Sequence, residues 1–171
     1  MNSFIDLATS RYSVRSFSNQ EVEDEKIALI LKAGQIAPTA CNNQPQKIYV
    51  IKSKEALAKL QKCKTSHFNE QVAFLITYDK NSCYVRDYDG KNSGDIDCAI
   101  VATHMMLQAK DINVGSTWIM NFMADVICQE FSLPDNIIPV ALLVMGYESE
   151  DVKINPRHYQ KKNIDDLTIK L

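Results

Sequence analysis

The chain has no Cys-x-x-Cys pair. Its five cysteines, Cys41, Cys63, Cys83, Cys98 and Cys128, are odd in number and widely spaced. That excludes a disulfide framework and fits reduced thiols in a cytoplasmic protein. The three histidines, His67, His104 and His158, are far apart in sequence and lack metal-ligand spacing, so no metal is expected. No apolar run reaches the roughly 20 residues that a membrane-crossing helix needs. The opening Met-Asn-Ser-Phe-Ile-Asp-Leu lacks the charged start and long apolar core of a secretory signal. Neither sign of charge is in excess: 21 acidic residues face 19 basic ones for a net charge of -2, and the basic residues are scattered. A nucleic-acid or membrane-surface binder would cluster them. There is no G-x-G-x-x-G fingerprint, internal repeat or low-complexity run. With 171 residues, 46% apolar and 23% charged, the chain is expected to form one domain, 1–171, with a sizeable core.

Against these absences stands a compact set of anion donors, Arg11-Tyr12-Ser13-Val14-Arg15-Ser16-Phe17. A guanidinium presents a rigid fork of donors matched to phosphate oxygens, and Ser13 adds a hydroxyl at close range. A phosphate-bearing ligand is one reading. Two arginines taken alone better fit a frayed helix end making weak surface ion pairs. A second stretch, Ala37-Pro38-Thr39-Ala40-Cys41-Asn42-Asn43-Gln44-Pro45, sets small residues and amides between two prolines, after a helix and before the strand-like Ile48 to Ile51. By itself it is also a plausible polar turn.

Together the two stretches resemble the nitroreductase family of flavin enzymes. There an arginine, serine, arginine arm and a Pro-Ser/Thr-Ala-x-Asn-x-Gln-Pro loop hold flavin mononucleotide (FMN). The resemblance runs through the chain. It implies an α+β fold with a central mixed sheet flanked by helices, and an intertwined homodimer whose C-terminal tails are exchanged. It further implies a flavoprotein that takes a hydride from NADH or NADPH and passes it to an electron-poor small molecule, a nitroaromatic or quinone, by a ping-pong mechanism. A storage or sensing module, a flavin reductase and a reductive dehalogenase on the same scaffold stay open. The cofactor-binding residues implied are Arg11, Tyr12, Ser13, Arg15, Pro38, Thr39, Ala40, Asn42, Gln44, Trp118, Ile119, Met120, Asn121 and Arg157. No side chain is needed as a catalyst, because the flavin carries the redox chemistry. Arg15 would lie at the N1/O2 edge of the ring, with Arg11 and Arg157 at the phosphate. Two departures from the pattern stand out: Met120 replaces a common glycine, and Glu148 replaces the proline of Gly-Tyr-Pro.

Residues 3 to 10 read as a short helix capped by Asn2 or Ser3, and Glu23 to Gln35 as a second helix with Gly34 near its end. Lys47 to Lys52 reads as a strand, and Ser53 caps the next helix. Val72 to Tyr78 is a buried strand, Ala124 to Phe131 a helix, and Val140 to Tyr147 a core strand after a loop bracketed by Pro134 and Pro139. Asp79 to Gly94 reads as a long irregular loop, a candidate flap whose Tyr84 and Tyr88 could stack on substrate, or equally a plain surface loop. Asp95 to Asp111 is apolar on nearly every side, so it must be covered by the rest of the domain or by a second subunit. Asp97 is expected to cap it. Ile164, Leu167, Ile169 and Leu171 alternate loosely and suit an edge strand laid on a partner.

Overall fold

In the computed structural model, which describes residues 3–171, four strands form one sheet in the order β1-β2-β4-β3. The strands are β1 (Gln46–Ile51), β2 (Val72–Asp79), β3 (Gly115–Ile119) and β4 (Ile137–Gly146). Helices α1 (Phe4–Ser10), α2 (Asp24–Gln35), α3 (Lys54–Lys62), α4 (Gly94–Asp111) and α5 (Ala124–Glu130) surround it. Period-2 alternation divides the core in two. Phe74, Ile76, Leu143 and Met145 face α2 and α4, while Ala73, Leu75, Leu142 and Val144 face the Leu60 and Ile127 side chains of α3 and α5. The register agrees, since Phe74 lies opposite Leu143 and Leu75 opposite Leu142. β2, buried on both faces, is the continuous apolar run that its sequence shows.

Several expectations need correction. The sheet expected to be mixed is antiparallel in all of its named pairs, and the one parallel contact among the described residues is a bridge between Ser13 of the arm and Ser116 of β3. Strand β3 was hidden because Gly115-Ser116-Thr117 shows no alternating apolar pattern. Pro139 sits inside β4, opposite Thr77, where the register shifts between Ile76 and Thr77. A proline that cannot donate to the ladder is tolerated there because the bulge absorbs the break and β3 ends at the Ile119–Leu142 pair. Gly34 lies near the end of α2, as expected, and is buried there, where an added Cβ would come 3.0 Å from Met105 of α4. Its role is to let the two helices approach. At the N-terminus of α1 it is Ser3 that caps, in a reciprocal box with Asp6. Asn2 lies outside the described residues.

The tail is not a strand among the described residues. It forms single turns at Pro156–Tyr159 and Ile164–Asp166, and Ile164, Leu167, Ile169 and Leu171 are all exposed. No helix or strand forms between Asp79 and Gly94, as expected of an irregular loop, but local contacts tie it together: Val85 bridges Asn92, Arg86 pairs with Asp89, and Gly90 turns the tip at φ 72°. No helix among the described residues is long and apolar enough to cross a membrane.

Candidate functional site

After α1 the chain runs extended beside β3. The Val14 N–H donates to the Ser116 carbonyl at 3.0 Å, the Thr117 hydroxyl donates to the Val14 carbonyl, and the Val14 and Phe17 side chains are sunk into the α3/α5 core. Alternation along this arm turns Ser13 and Arg15 away from the core that holds Val14. The chain leaving β4 lies alongside: Glu148 bridges Phe17, and the Ser149 N–H donates to the Ser16 carbonyl at 3.1 Å. Further on, Asn155 caps the Pro156–Tyr159 turn by accepting from the Arg157 N–H at 2.9 Å, and the His158 ring sits edge-on to Tyr12 with centroids 6.2 Å apart.

The result is a cavity of about 300 Å³ lined by Arg11, Tyr12, Ser13, Arg15, Asn155, Arg157, His158 and Lys161. Four permanent cations from the two ends of the chain meet there with no carboxylate in the lining. None of the four forms an ion pair among the described residues. Tyr12 is fixed at the edge: burial first, and then the Glu148 carboxylate bonded to its hydroxyl, push its phenol well above the ordinary range. It stays a protonated donor. Asn155, His158 and Lys161 escaped the sequence reading, since only the turn after Pro156 brings them against the arm. The basic run Lys153, Arg157, Lys161 and Lys162 was the available signal.

The second stretch forms a separate structure. Cys41, Asn42 and Gln44 all take left-handed backbone angles, with φ of 52°, 54° and 49°. Such angles are unfavourable away from glycine and persist where surroundings over-determine them. Here Thr39 Oγ1 accepts from the Gln44 N–H at 3.0 Å, and the Gln44 amide donates to the Asn42 carbonyl at 3.2 Å. The Ala40 N–H donates to Asp97 Oδ1 at 2.9 Å. Asp97 is therefore no helix cap. It is 1% exposed, and its second oxygen accepts from the Ser93 hydroxyl at 2.6 Å, so one carboxylate ties the loop to the start of α4. Replacing Asp97 with alanine strands two donors, and each should cost about 1–3 kcal/mol. The Ala40 and Gln44 amides are expected to exchange faster with solvent, together with a lower denaturation midpoint. Unchanged exchange at both amides would show that the loop holds its shape without the tether.

Not all of the expected site residues come together. Arg11, Tyr12, Ser13, Arg15 and Arg157 do. Ala40 lies on a different groove, beside Tyr84, Ile96, Asp97 and Ile100, and Pro38, Thr39, Asn42 and Gln44 line neither that groove nor the cationic cavity. Trp118 is half-buried on the α4 side of the sheet, its buried indole N–H without a partner, and Ile119 is buried on the opposite side. Met120 is 69% exposed, so its bulk fills no interior space, and Asn121 is exposed beside it. Of the two tyrosines, Tyr84 lines the Ala40 groove, whereas Tyr88 is 97% exposed and stands outside it, near the tight tip at Gly90. Three thiols are poor nucleophiles: burial, then Asp95 and Asp97, push Cys98 up to about 12, and burial also raises Cys63 and the half-buried Cys128.

The sequence profile described as the nitroreductase family matches residues 8–147. A crystal structure of a nitroreductase family protein from Clostridium difficile 630 is similar at a TM-score of 0.92 and 40% identity, covering 99% of this chain and 98% of that one. An FMN-dependent nitroreductase from Clostridium difficile R20291 is similar at a TM-score of 0.76 and 26% identity, covering 94% of this chain and 99% of that one. An Archaeoglobus fulgidus protein, provisionally named NADH dehydrogenase/NAD(P)H nitroreductase, is 26% identical over 159 residues, 88% of either chain. A profile match over most of the chain and a 40% identical structure along its whole length mean that the chain belongs to the nitroreductase family.

Proposed function

We propose that this chain is an FMN-dependent oxidoreductase that takes reducing equivalents from NADH or NADPH and delivers them to an electron-poor organic acceptor such as a nitroaromatic or quinone. The observation that carries the reading is the acid-free cavity of Arg11, Ser13, Arg15, Arg157 and Lys161. Its donor set suits a phosphate monoester: several permanent cations and a hydroxyl, without a carboxylate to compete. Bound there, FMN would supply a ring able to accept a hydride and pass it on, chemistry that no side chain of the protein provides. Arg11, Ser13 and Arg157 would hold the phosphate, with Lys161 adding charge. Arg15, on the same arm, would stand at the ring's N1/O2 edge, where a cation favours added negative charge. The 39–44 loop would contribute fixed amide and carbonyl groups to orient the ring.

That division calls for two copies of the chain, because in one copy the arm and the loop line different cavities. The face of α4 bearing Ile96, Ala99, Ile100, Thr103 and His104 borders an open apolar groove of about 450 Å³, and Ile96 is 52% exposed. A homodimer packed on this face, with the apolar tail of each chain laid over the other, would bring loop and arm together. Removing residues 163–171 leaves the whole cationic cavity in place, so it separates assembly from phosphate binding. The shortened chain is expected to sediment as a weaker dimer and to lose flavin on dilution.

The test of function is anaerobic. The purified protein should show flavin absorption, bleach with NADH or NADPH, and recover its colour when a nitroaromatic or quinone is added. A flavin-loaded protein that neither nicotinamide reduces would be a binding module, and the enzymatic reading would fall.

A further inference from the structure

The His158 ring is held in the cationic cavity by its neighbours rather than by its own polar atoms. It packs edge-on to both Tyr12 and Tyr159, with ring centres 6.2 and 5.0 Å away. Its backbone is fixed as well, since its N–H donates to the Asn155 carbonyl at 2.8 Å and its carbonyl accepts from the Lys161 ammonium at 2.8 Å. The other two histidines, His67 and His104, each have a ring nitrogen engaged inside the protein, at the Gln61 side-chain oxygen and the Ile100 carbonyl. Among the described residues, the hydrogen bonds of His158 are all made by its backbone, so neither ring nitrogen of this cavity-lining residue is committed to a protein partner.

The groups around this ring respond differently to pH. Arg11 and Arg15 of the arm, and Arg157 and Lys161 near it in the chain, are permanent cations. Tyr12 stays a protonated donor, its phenol pushed up by burial and by the Glu148 carboxylate, and Lys110 of α4 lies 5.8 Å from the Tyr12 ring centre. Ser13 and Asn155 carry no charge. Histidine is the side chain that changes charge between pH 5 and 8, so His158 is the lining residue through which the cavity can respond to pH in that range. A phosphate dianion placed among these groups favours the charged imidazole over the neutral one, because a nearby opposite charge stabilises the ionised form and both ring nitrogens then donate.

We propose that His158 is a further ligand of the phosphate group, held as the imidazolium in the complex, so that phosphate binding draws a proton into the cavity. The inference rests on the FMN reading of this cavity and adds a pH linkage to it. Permanent cations alone would hold a given anion equally well across this range. With His158 the protein's grip on the anion strengthens as pH falls. The ligand works in the opposite direction, because a phosphate monoester has its second ionisation near pH 6 and loses charge in acid. The two effects separate cleanly, since the ligand's ionisation is the same whichever variant it meets.

The test reads the affinities of the purified full chain for FMN and riboflavin by fluorescence quenching, at about pH 6 and about pH 8, on either side of the histidine range. At the lower pH the wild-type chain should bind FMN about three- to tenfold more tightly than His158→Gln, as expected for one partly solvated charge-assisted hydrogen bond, and at the higher pH the two should be nearly equal. His158→Lys, which restores a permanent charge, should exceed His158→Gln at both. Riboflavin should not distinguish the three chains. The same wild-type to His158→Gln ratio at both pH values, or an equal loss for riboflavin, would make His158 a packing residue for Tyr12 and overturn the proposal. The two readings fail separately. A chain that binds neither flavin refutes the oxidoreductase, and the inference is then judged with sulfate, which stays a dianion throughout this range. Near neutral pH, sulfate but not chloride at equal ionic strength should draw protons from a weakly buffered solution of the wild-type chain and not from one of His158→Gln. Absence of that uptake overturns the proposal as well.

Discussion

Replacing Arg11 and Arg157 together by glutamine is expected to weaken FMN binding by at least about a hundredfold while changing riboflavin binding far less. A hydrogen bond to a charged group contributes on the order of 1.5–3 kcal/mol, and about 1.4 kcal/mol is a factor of ten in affinity. Two guanidinium groups are removed, so the lower end of that range already gives the hundredfold. The opposing effect is solvent. Arg157 is exposed and Arg11 half-buried, so water and salt screen Arg157 more, and Arg11→Gln should be the costlier single change. Arg15 and Lys161 remain in the double variant, so binding is weakened rather than abolished. Fluorescence quenching titrations with FMN and riboflavin, at two salt concentrations, give all four affinities. Equal losses for the two ligands would mean that the arginines support the protein rather than the phosphate, and no loss for FMN would remove the cavity from consideration as the phosphate site.

The cationic cavity was legible from the sequence to the extent that its donors are chemically distinctive. Arg11, Ser13 and Arg15 are close neighbours in the chain, and a strand-like arm keeps such neighbours together. Arg157 joins them from 142 residues further on, and it could be named only through the family pattern. Lys161 and His158 depend on a single turn whose direction is set by Asn155 and Pro156, and no periodicity announces it. Asp97 was misjudged for a related reason. A carboxylate in the first turn of a helix ordinarily serves that helix, but its actual partner, the Ala40 N–H, comes from a loop 57 residues earlier. The major elements were legible because their patterns are strong, as in the unbroken apolar run of β2 and the near-all-round apolar surface of α4. The weaker elements failed where composition and role part company. β3 carries Gly115, Ser116 and Thr117, all buried, and Pro139 lies in a strand interior where a bulge makes room for it. In both cases tertiary context overrides local propensity.

The same override appears in the connection from α3 to β2, where Lys64 and Glu70 pair at 2.7 Å with both side chains fully inaccessible to solvent. Glu70 also accepts from the Gln61 amide at 2.9 Å and from the Phe68 N–H at 3.3 Å, while the Lys64 ammonium donates to the Ser66 carbonyl. This connection holds two parts of the candidate site. The Phe68 carbonyl accepts the Phe17 N–H of the arm at 2.9 Å, and Lys64 bridges Phe122, next to Met120 and Asn121. Glu70→Gln would leave the ammonium buried without a counter-charge, which should cost about 3–5 kcal/mol at neutral pH. Replacing both, as Lys64→Met with Glu70→Gln, removes the charge that needs balancing and is expected to recover most of the loss, because a buried pair exchanged for neutral groups is often close to neutral in stability. The pH dependence separates charge from packing. Burial alone would raise the Glu70 carboxyl, but the bond from Lys64 and the backbone donors outweigh it and hold the group below its ordinary value of 4.5. A carboxylate whose folded-state value is depressed contributes stability that is present above its unfolded value and is lost as pH falls through the folded one. The wild-type chain should therefore lose this contribution below about pH 4.5, and the gap between it and Glu70→Gln, read from urea midpoints, should narrow there. A gap that persists unchanged into acid, or a double variant no more stable than Glu70→Gln, would assign the loss to packing around residue 70 and not to the stranded charge.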